Sequence, residues 1–214
     1  LWEEASLRIL RYAWLKILQK KLYLKLKNME KLKIITSTVR EGRKGRIIAD
    51  WITAVAKESG HFEAELLDIA EIDLPLMTEP NHPRLQKYKY EYTKKWSASI
   101  AAADAFIIVL SEYNFSFPAP IKNAIDYLFH EWRNKPVGFV SYGGMSGGMR
   151  AAQAFKQVVT ALNMMPLSES VAITAFTDHI NEQQKFVATE SLDKAAKTML
   201  RELEKWSTAL KVLR

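Results

Sequence analysis

The chain has 214 residues, 48% hydrophobic and 26% charged, with 8 glycines and 7 prolines, the makeup of a folded domain with a sizeable core rather than a disordered or fibrous chain. It contains no cysteine, which excludes disulfide scaffolds, thiolate metal centres, iron–sulfur clusters and cysteine nucleophiles, and suits a reducing cytoplasm. The net charge of +7 sits mostly in residues 1–28, where Arg8, Arg11, Lys16, Lys20, Lys21, Lys25 and Lys27 face only Glu3 and Glu4; the near-neutral remainder has no electrostatic footprint for nucleic acid.

Within residues 1–28, Leu7, Leu10, Trp14, Leu18 and Leu22 recur at intervals of three and four with basic residues between them, which predicts an amphipathic helix. Charges interrupt its apolar part too often for a signal peptide or a membrane span. Three readings stay open: a leftover of expression or upstream translation, a surface-seeking helix that would be the chain's one route to a membrane, or an oligomerisation helix. Met29, followed at once by Glu30, Lys31 and an apolar run, reads as a natural start, so the boundary falls between an extension over 1–28 and a domain over 29–214.

From residue 32 short apolar runs alternate with helical stretches, the pattern of βαβ units around a parallel sheet. Residues 32–36 form the first strand. A helix follows over 45–59, with Ile48, Ile52 and Val55 on one face and Gly60 placed as its C-cap. Alternation over 62–69 gives a second strand, followed by a long loop with Pro75, Pro80 and Pro83. A helix over 93–103 leads to the almost continuous aliphatic strand 105–110, expected to be central and covered on both faces. Pro118 and Pro120 open the next helix. Residues 137–141 form the fourth strand, a glycine-rich turn over 143–148 leads into a helix to about residue 162, and a short strand is expected over 171–174. An amphipathic helix over 191–210 closes the chain. Five strands and intervening helices predict a three-layer, doubly wound α/β domain, whose ligand lies beyond the carboxyl ends of the strands.

Three loops stand at those ends. The first runs from Ser37 to Gly45 and combines hydroxyls with Arg40, Arg43 and Lys44 just before a helix, the makeup of a phosphate site or of a solvated basic turn. Its spacing is neither that of a P-loop nor that of a dinucleotide fingerprint. The second, Ser111 to Pro118, crowds polar and aromatic groups that suit a planar heterocycle or serve as core plugs. The third, Tyr142 to Gly148, holds four of the eight glycines, which allow close approach of a ligand or a tight turn.

The run Phe106-Ile-Ile-Val-Leu-Ser-Glu-Tyr-Asn-Phe-Ser-Phe-Pro, with Ile121-Lys-Asn-Ala-Ile-Asp126 after it, resembles a signature of the NADPH-dependent FMN reductase family. Lys135-Pro136 and Gly143 to Arg150-Ala151 resemble the family's next block, and Thr38-x-Arg40 with Gly42-Arg43-x-Gly45 its phosphate loop. The resemblance covers about residues 31–210 and departs at Ser37-Thr38, Ser111 and Ala119, where the family favours glycine, proline and glycine.

The resemblance implies a flavodoxin-like fold with strand order 2-1-3-4-5, an FMN cofactor, hydride supplied by NADPH or NADH, and small acceptors such as quinones, azo compounds, metal oxyanions or free flavin. Thr38, Arg40, Arg43 and Gly45 would serve the phosphate; Glu112, Tyr113, Asn114, Phe115, Tyr142, Gly143 and Gly144 would line the ring. No side chain need act as a catalyst, because the flavin carries the chemistry. A homodimer or homotetramer is implied as well. The alternative is a flavin-bound electron carrier or redox-responsive module without turnover. A hydrolase is disfavoured because His61, His82, His130 and His179 stand beside no nucleophile elbow, and a phosphate-receiving domain because Thr36, Ser37 and Thr38 replace an acidic cluster. Lys87 to Lys95, with Tyr88, Tyr90, Tyr92 and Trp96, reads as a lid or oligomer contact beside the flavin rather than a nucleic-acid surface.

Overall fold

The computed structural model describes Trp14, Lys16 and residues 29–214; both isolated residues are helical and exposed. The rest of the expected extension, and the boundary at residue 28, lie outside the described residues.

Five parallel strands, β1 (Glu30–Thr36), β2 (Phe62–Leu67), β3 (Ala105–Ser111), β4 (Pro136–Tyr142) and β5 (Met165–Ile173), form one sheet in the order β2, β1, β3, β4, β5. The helices are α1 (Gly45–Ser59), the short α2 (Ile69–Ile72), α3 (Glu91–Ala101), α4 (Ala119–Asp126), α5 (Met149–Ala161) and α6 (Glu190–Leu210). Alternate strand residues feed opposite faces, as the two-residue period of a strand requires. Ile34, Ile107 and Val109 pack with Ile48 and Ile52 of α1 and Met199 and Leu203 of α6. Ile35, Ile108 and Leu110 pack with Trp96 of α3, Ile125 of α4 and Phe155 of α5. All of β3 and β4 is buried, which is why those strands are the least interrupted apolar runs. The helices end where the chemistry predicts. Gly60 caps α1 with φ 67°, donating its N–H to Lys57, and the Thr189 hydroxyl accepts the Leu192 N–H at the start of α6.

Three expectations are corrected. The last strand begins at Met165, six residues earlier than its apolar run, because it is an edge strand that can carry Pro166, Ser168 and Glu169. β2 ends at Leu67 because Asp68 turns inward and caps α2 through the Ala70 N–H. Helix α3 begins at Glu91 and ends at Ala101, two residues before its expected bounds. In the stretch proposed as a lid, Trp96 is buried in the core and the Tyr88 hydroxyl donates to the buried Glu131 at 2.7 Å. Among the described residues no helix is long and apolar enough to cross a membrane, and no cluster of metal-ligating side chains occurs.

Candidate functional site

The parallel strands deliver their loops to one end of the sheet, and a cleft of about 160 Å3 opens there, lined by Thr38, Arg40, Arg43, Lys44, Ser111, Glu112, Tyr113, Tyr142, Gly143, Gly144 and Phe176. It sits beyond β1, β3 and β4, where a doubly wound sheet places its ligand. A wider groove of about 1170 Å3 runs between α1 and α6, but its mixed acidic and basic lining comes from helix faces and receives none of these loops.

The first loop feeds α1, whose N-cap residue Lys44 makes no side-chain cap and whose first turn holds no acidic residue. The first N–H groups of a helix have no partner within it and carry partial positive charge. Beside them, the buried Thr38 Oγ1 and Arg43 Nε lack hydrogen-bond partners. Unpaired buried polar atoms of this kind each cost about 1 to 3 kcal/mol. Uncapped helix N–H groups, an orphaned hydroxyl and an orphaned guanidinium nitrogen form a donor set without an acceptor, and a phosphate fits it. Arg40 is exposed at the rim, its guanidinium 6.0 Å from the Tyr113 ring centroid. Gly45 lies behind the cleft, where an added Cβ would stand 2.6 Å from the Tyr142 hydroxyl oxygen.

Arg43 is held from behind. One terminal nitrogen donates to Asp68 Oδ2 at 2.8 Å, and Arg46 reaches the same oxygen at 3.1 Å. Thr36 Oγ1 donates to Asp68 Oδ1 at 2.9 Å. Burial alone would raise the Asp68 pKa, but hydrogen bonds from Arg43, Thr36, Arg46 and the Ala70 N–H hold it below the usual aspartate value. Asp68 therefore fixes the first loop to the end of β2.

The second and third loops are joined through Glu112. Its carboxylate accepts from Ser146 Oγ at 2.8 Å and from Arg150 Nε at 2.7 Å. Burial would raise its pKa, yet Arg150 and Ser146 keep it below the usual glutamate range. On the floor, Tyr142 is buried, which raises its phenol pKa. Gly148 holds the third loop closed at φ 76°, where a Cβ would come within 2.6 Å of the Tyr142 nitrogen, so the position demands glycine.

Eight of the eleven expected residues line the cleft, Gly45 backs it, and Asn114 and Phe115 form the tip of the turn beyond Tyr113. Lys44 and Ser111, members of the first and second loops, also line it, and so does Phe176, while Asp68 supports it; the last two had not been singled out. Phe176 belongs to a fourth loop, after β5, whose ring meets Tyr142 edge to face at 5.2 Å and whose Ala175 N–H donates to the Gly144 carbonyl. No glycine, arginine or crowding of aromatics marks that loop in the sequence, so a reading by composition passes over it.

The description NADPH-dependent FMN reductase matches residues 31–178. An NAD(P)H-dependent FMN reductase of Schizosaccharomyces pombe is 38% identical over 157 residues, covering 72% of this chain and 78% of the relative. A quinone reductase of Escherichia coli is 29% identical over 149 residues, covering 65% and 76%. Among solved structures, the flavoenzyme NAD(P)H:acceptor oxidoreductase FerB of Paracoccus denitrificans superposes with a TM-score of 0.68 at 18% identity, over 85% of this chain and 98% of that one. An archaeal flavodoxin superposes at 0.51 and 9% identity, over 83% and 99%. These two likenesses carry the flavodoxin-like fold. The family match spans most of the sheet and every loop that lines the cleft, so the chain belongs to the NADPH-dependent FMN reductase family.

Proposed function

We propose that this oxidoreductase binds FMN in the cleft at the strand ends, takes hydride from NADPH or NADH, and reduces small acceptors such as quinones, azo compounds, metal oxyanions or free flavin. The observation that carries the reading is the donor set at the start of α1: an uncapped helix N-terminus beside the orphaned Thr38 hydroxyl and Arg43 Nε. FMN, when bound, supplies the two-electron chemistry; the chain binds, orients and shields. Thr38, Arg40, Arg43 and the N–H groups around Gly45 would hold the phosphate, with Asp68 keeping the Arg43 fork in place. Glu112, Tyr113, Asn114 and Phe115 on one side, with Tyr142, Gly143 and Gly144 on the other, would border the ring. The buried Tyr142 and the edge-on Phe176 would keep water from its base. The absence of cysteine supports a reducing, cytoplasmic setting, and the exposed Met145 on the third loop and Met149 at the start of α5 offer apolar surface for a homodimer or homotetramer.

Titrating wild type and Arg40→Ala with FMN and with riboflavin tests the phosphate assignment. FMN is expected to weaken by about 1.5 to 3 kcal/mol, the worth of a hydrogen bond to a charged group, with riboflavin unchanged. Equal losses for both flavins would remove Arg40 from the phosphate. Steady oxidation of NADPH in the presence of a quinone distinguishes a reductase from an electron carrier.

A further inference from the structure

The turn after β3 has an unusual backbone. Tyr113 and Ser116 exchange both main-chain hydrogen bonds, at 2.8 and 2.9 Å, and the two residues between them are left-handed: Asn114 at φ 50° and Phe115 at φ 66°. This is the two-residue hairpin whose second central position ordinarily belongs to glycine. Asparagine adopts the conformation readily, whereas phenylalanine is strained in it. Burial does not compensate, because Phe115 is 69% exposed. Folding alone would be served better by glycine.

A second observation concerns what holds the ring. The Arg150 guanidinium carbon lies 3.7 Å from the Phe115 ring centroid. Arg150 is itself fixed, with Nε and one terminal nitrogen on Glu112 Oε1 at 2.7 and 2.5 Å. Glu112, its side chain only 8% exposed, is anchored in turn by Ser146. The contacts run from Ser146 through Glu112 and Arg150 to Phe115, joining the two loops that supply Glu112, Tyr113, Gly143 and Gly144 to the cleft. One face of the ring rests on a planar cation, and the exposed remainder is a flat, oriented apolar surface beside the site.

We propose that Phe115 is an acceptor-binding residue, that its open face stacks a planar aromatic acceptor of the quinone class, and that Arg150 is the positioning residue that sets the angle of the ring. The assignment rests on the cleft being the flavin site. Strain retained at an exposed aromatic beside a cleft is the kind of local cost that function explains. Offset stacking on an aromatic face gives discrimination between flat and non-planar acceptors.

The test uses the full chain as wild type, Phe115→Ala, Phe115→Gly and Phe115→Trp, with NADPH as donor and either 1,4-naphthoquinone or ferricyanide, a compact ion with no ring, as acceptor. Alanine and glycine are expected to raise the naphthoquinone KM about three- to tenfold, the equivalent of one aromatic contact. Tryptophan should restore it, and in the small variants the ratio of naphthoquinone to ferricyanide kcat/KM should fall by the same three- to tenfold, with FMN affinity measured alongside so that a loss of cofactor is separated from a loss of acceptor. Thermal unfolding of the FMN-free variants gives a readout independent of turnover. Both small residues lose the ring but only glycine relieves the backbone, so Phe115→Gly should unfold about 2 to 4 °C above Phe115→Ala. Intact FMN uptake with a wild-type naphthoquinone KM in both small variants overturns the proposal, and so does a changed oligomer in light scattering with that KM unaltered, which would make the ring a subunit contact. Equal unfolding of the two variants overturns the strain argument on which it stands. A wild-type chain that takes up no FMN brings down the reading of the cleft as well.

Discussion

An alanine methyl at position 45 would sit 2.6 Å from the buried Tyr142 hydroxyl and 3.1 Å from Thr38 Oγ1, whereas one at position 144 would meet nothing within 4 Å. The two glycines therefore separate folding from binding. Gly45→Ala should lower the unfolding free energy by about 1 to 3 kcal/mol, the usual cost of overpacking, measured by denaturant titration. Gly144→Val should fold normally but place its branches in the cleft and weaken FMN at least about tenfold, about 1.4 kcal/mol, measured by flavin fluorescence quenching; wild-type affinity would take Gly144 out of the site. Side chains of this cleft were legible where residue type and place agreed, as with a hydroxyl and arginines before a helix or glycines after a strand. Phe176 stands in a loop without glycine or arginine, where a single aromatic carries no compositional signal of a site. Asp68 is the instructive case. A lone aspartate after a strand gives no hint that Arg43, Arg46 and Thr36 converge on it from positions 22 to 32 residues away.

That convergence makes the junction of β1, β2 and α1 sensitive to acid. The folded-state pKa of Asp68 lies below its ordinary value of 3.8, so its stabilisation is fully present above the unfolded-state value and is lost as the pH falls through the folded one. Asp68→Asn should therefore cost about 2 to 4 kcal/mol near neutrality, a figure reduced because Arg46 is 38% exposed, and should flatten the decline in stability below about pH 4. Urea midpoints across pH 3 to 7 check both parts; an unchanged slope in acid would mean other carboxylates dominate there. Elements were readable in proportion to burial. β3 and β4 are buried throughout and appear as aliphatic runs, while β5 has one face in solvent for half its length and shows only its buried tail. The loop between α2 and α3 looked unstructured from its prolines, yet Asn123 and Tyr127 of and beside α4 bond the Pro75 carbonyl, and Glu79 accepts the N–H groups of Lys89 and Tyr90. Such order depends on partners 10 to 52 residues away, which periodicity cannot reveal.

Across the whole molecule, both apolar layers are built by residues 32–203, and the cleft by residues 38–176. Removing residues 1–28 should thus leave FMN affinity and NADPH oxidation within about twofold, a change of less than 1.4 kcal/mol; spectrophotometric titration of the truncated chain checks it, and lost flavin would show that the segment completes the site. The doubly wound class and both helical layers were legible because alternation, glycine caps and strand-end loops all agree on one architecture, whereas the strand order followed only from the family resemblance. One feature of the rim bears on how copies of the chain can meet. β5 closes the sheet on one side with Pro166 and a slipped register, Val137 facing Pro166 but Phe139 facing Ser170. β2 closes the other with the exposed Glu63 and with Glu65, which is exposed too and pairs with Lys33 of β1. A margin that lacks an amide donor, bulges out of line or carries like charges is a poor template for an incoming strand. Self-association through main-chain ladders, the route to cross-β stacking, is therefore discouraged at both margins, and assembly is left to side chains on helices and loops.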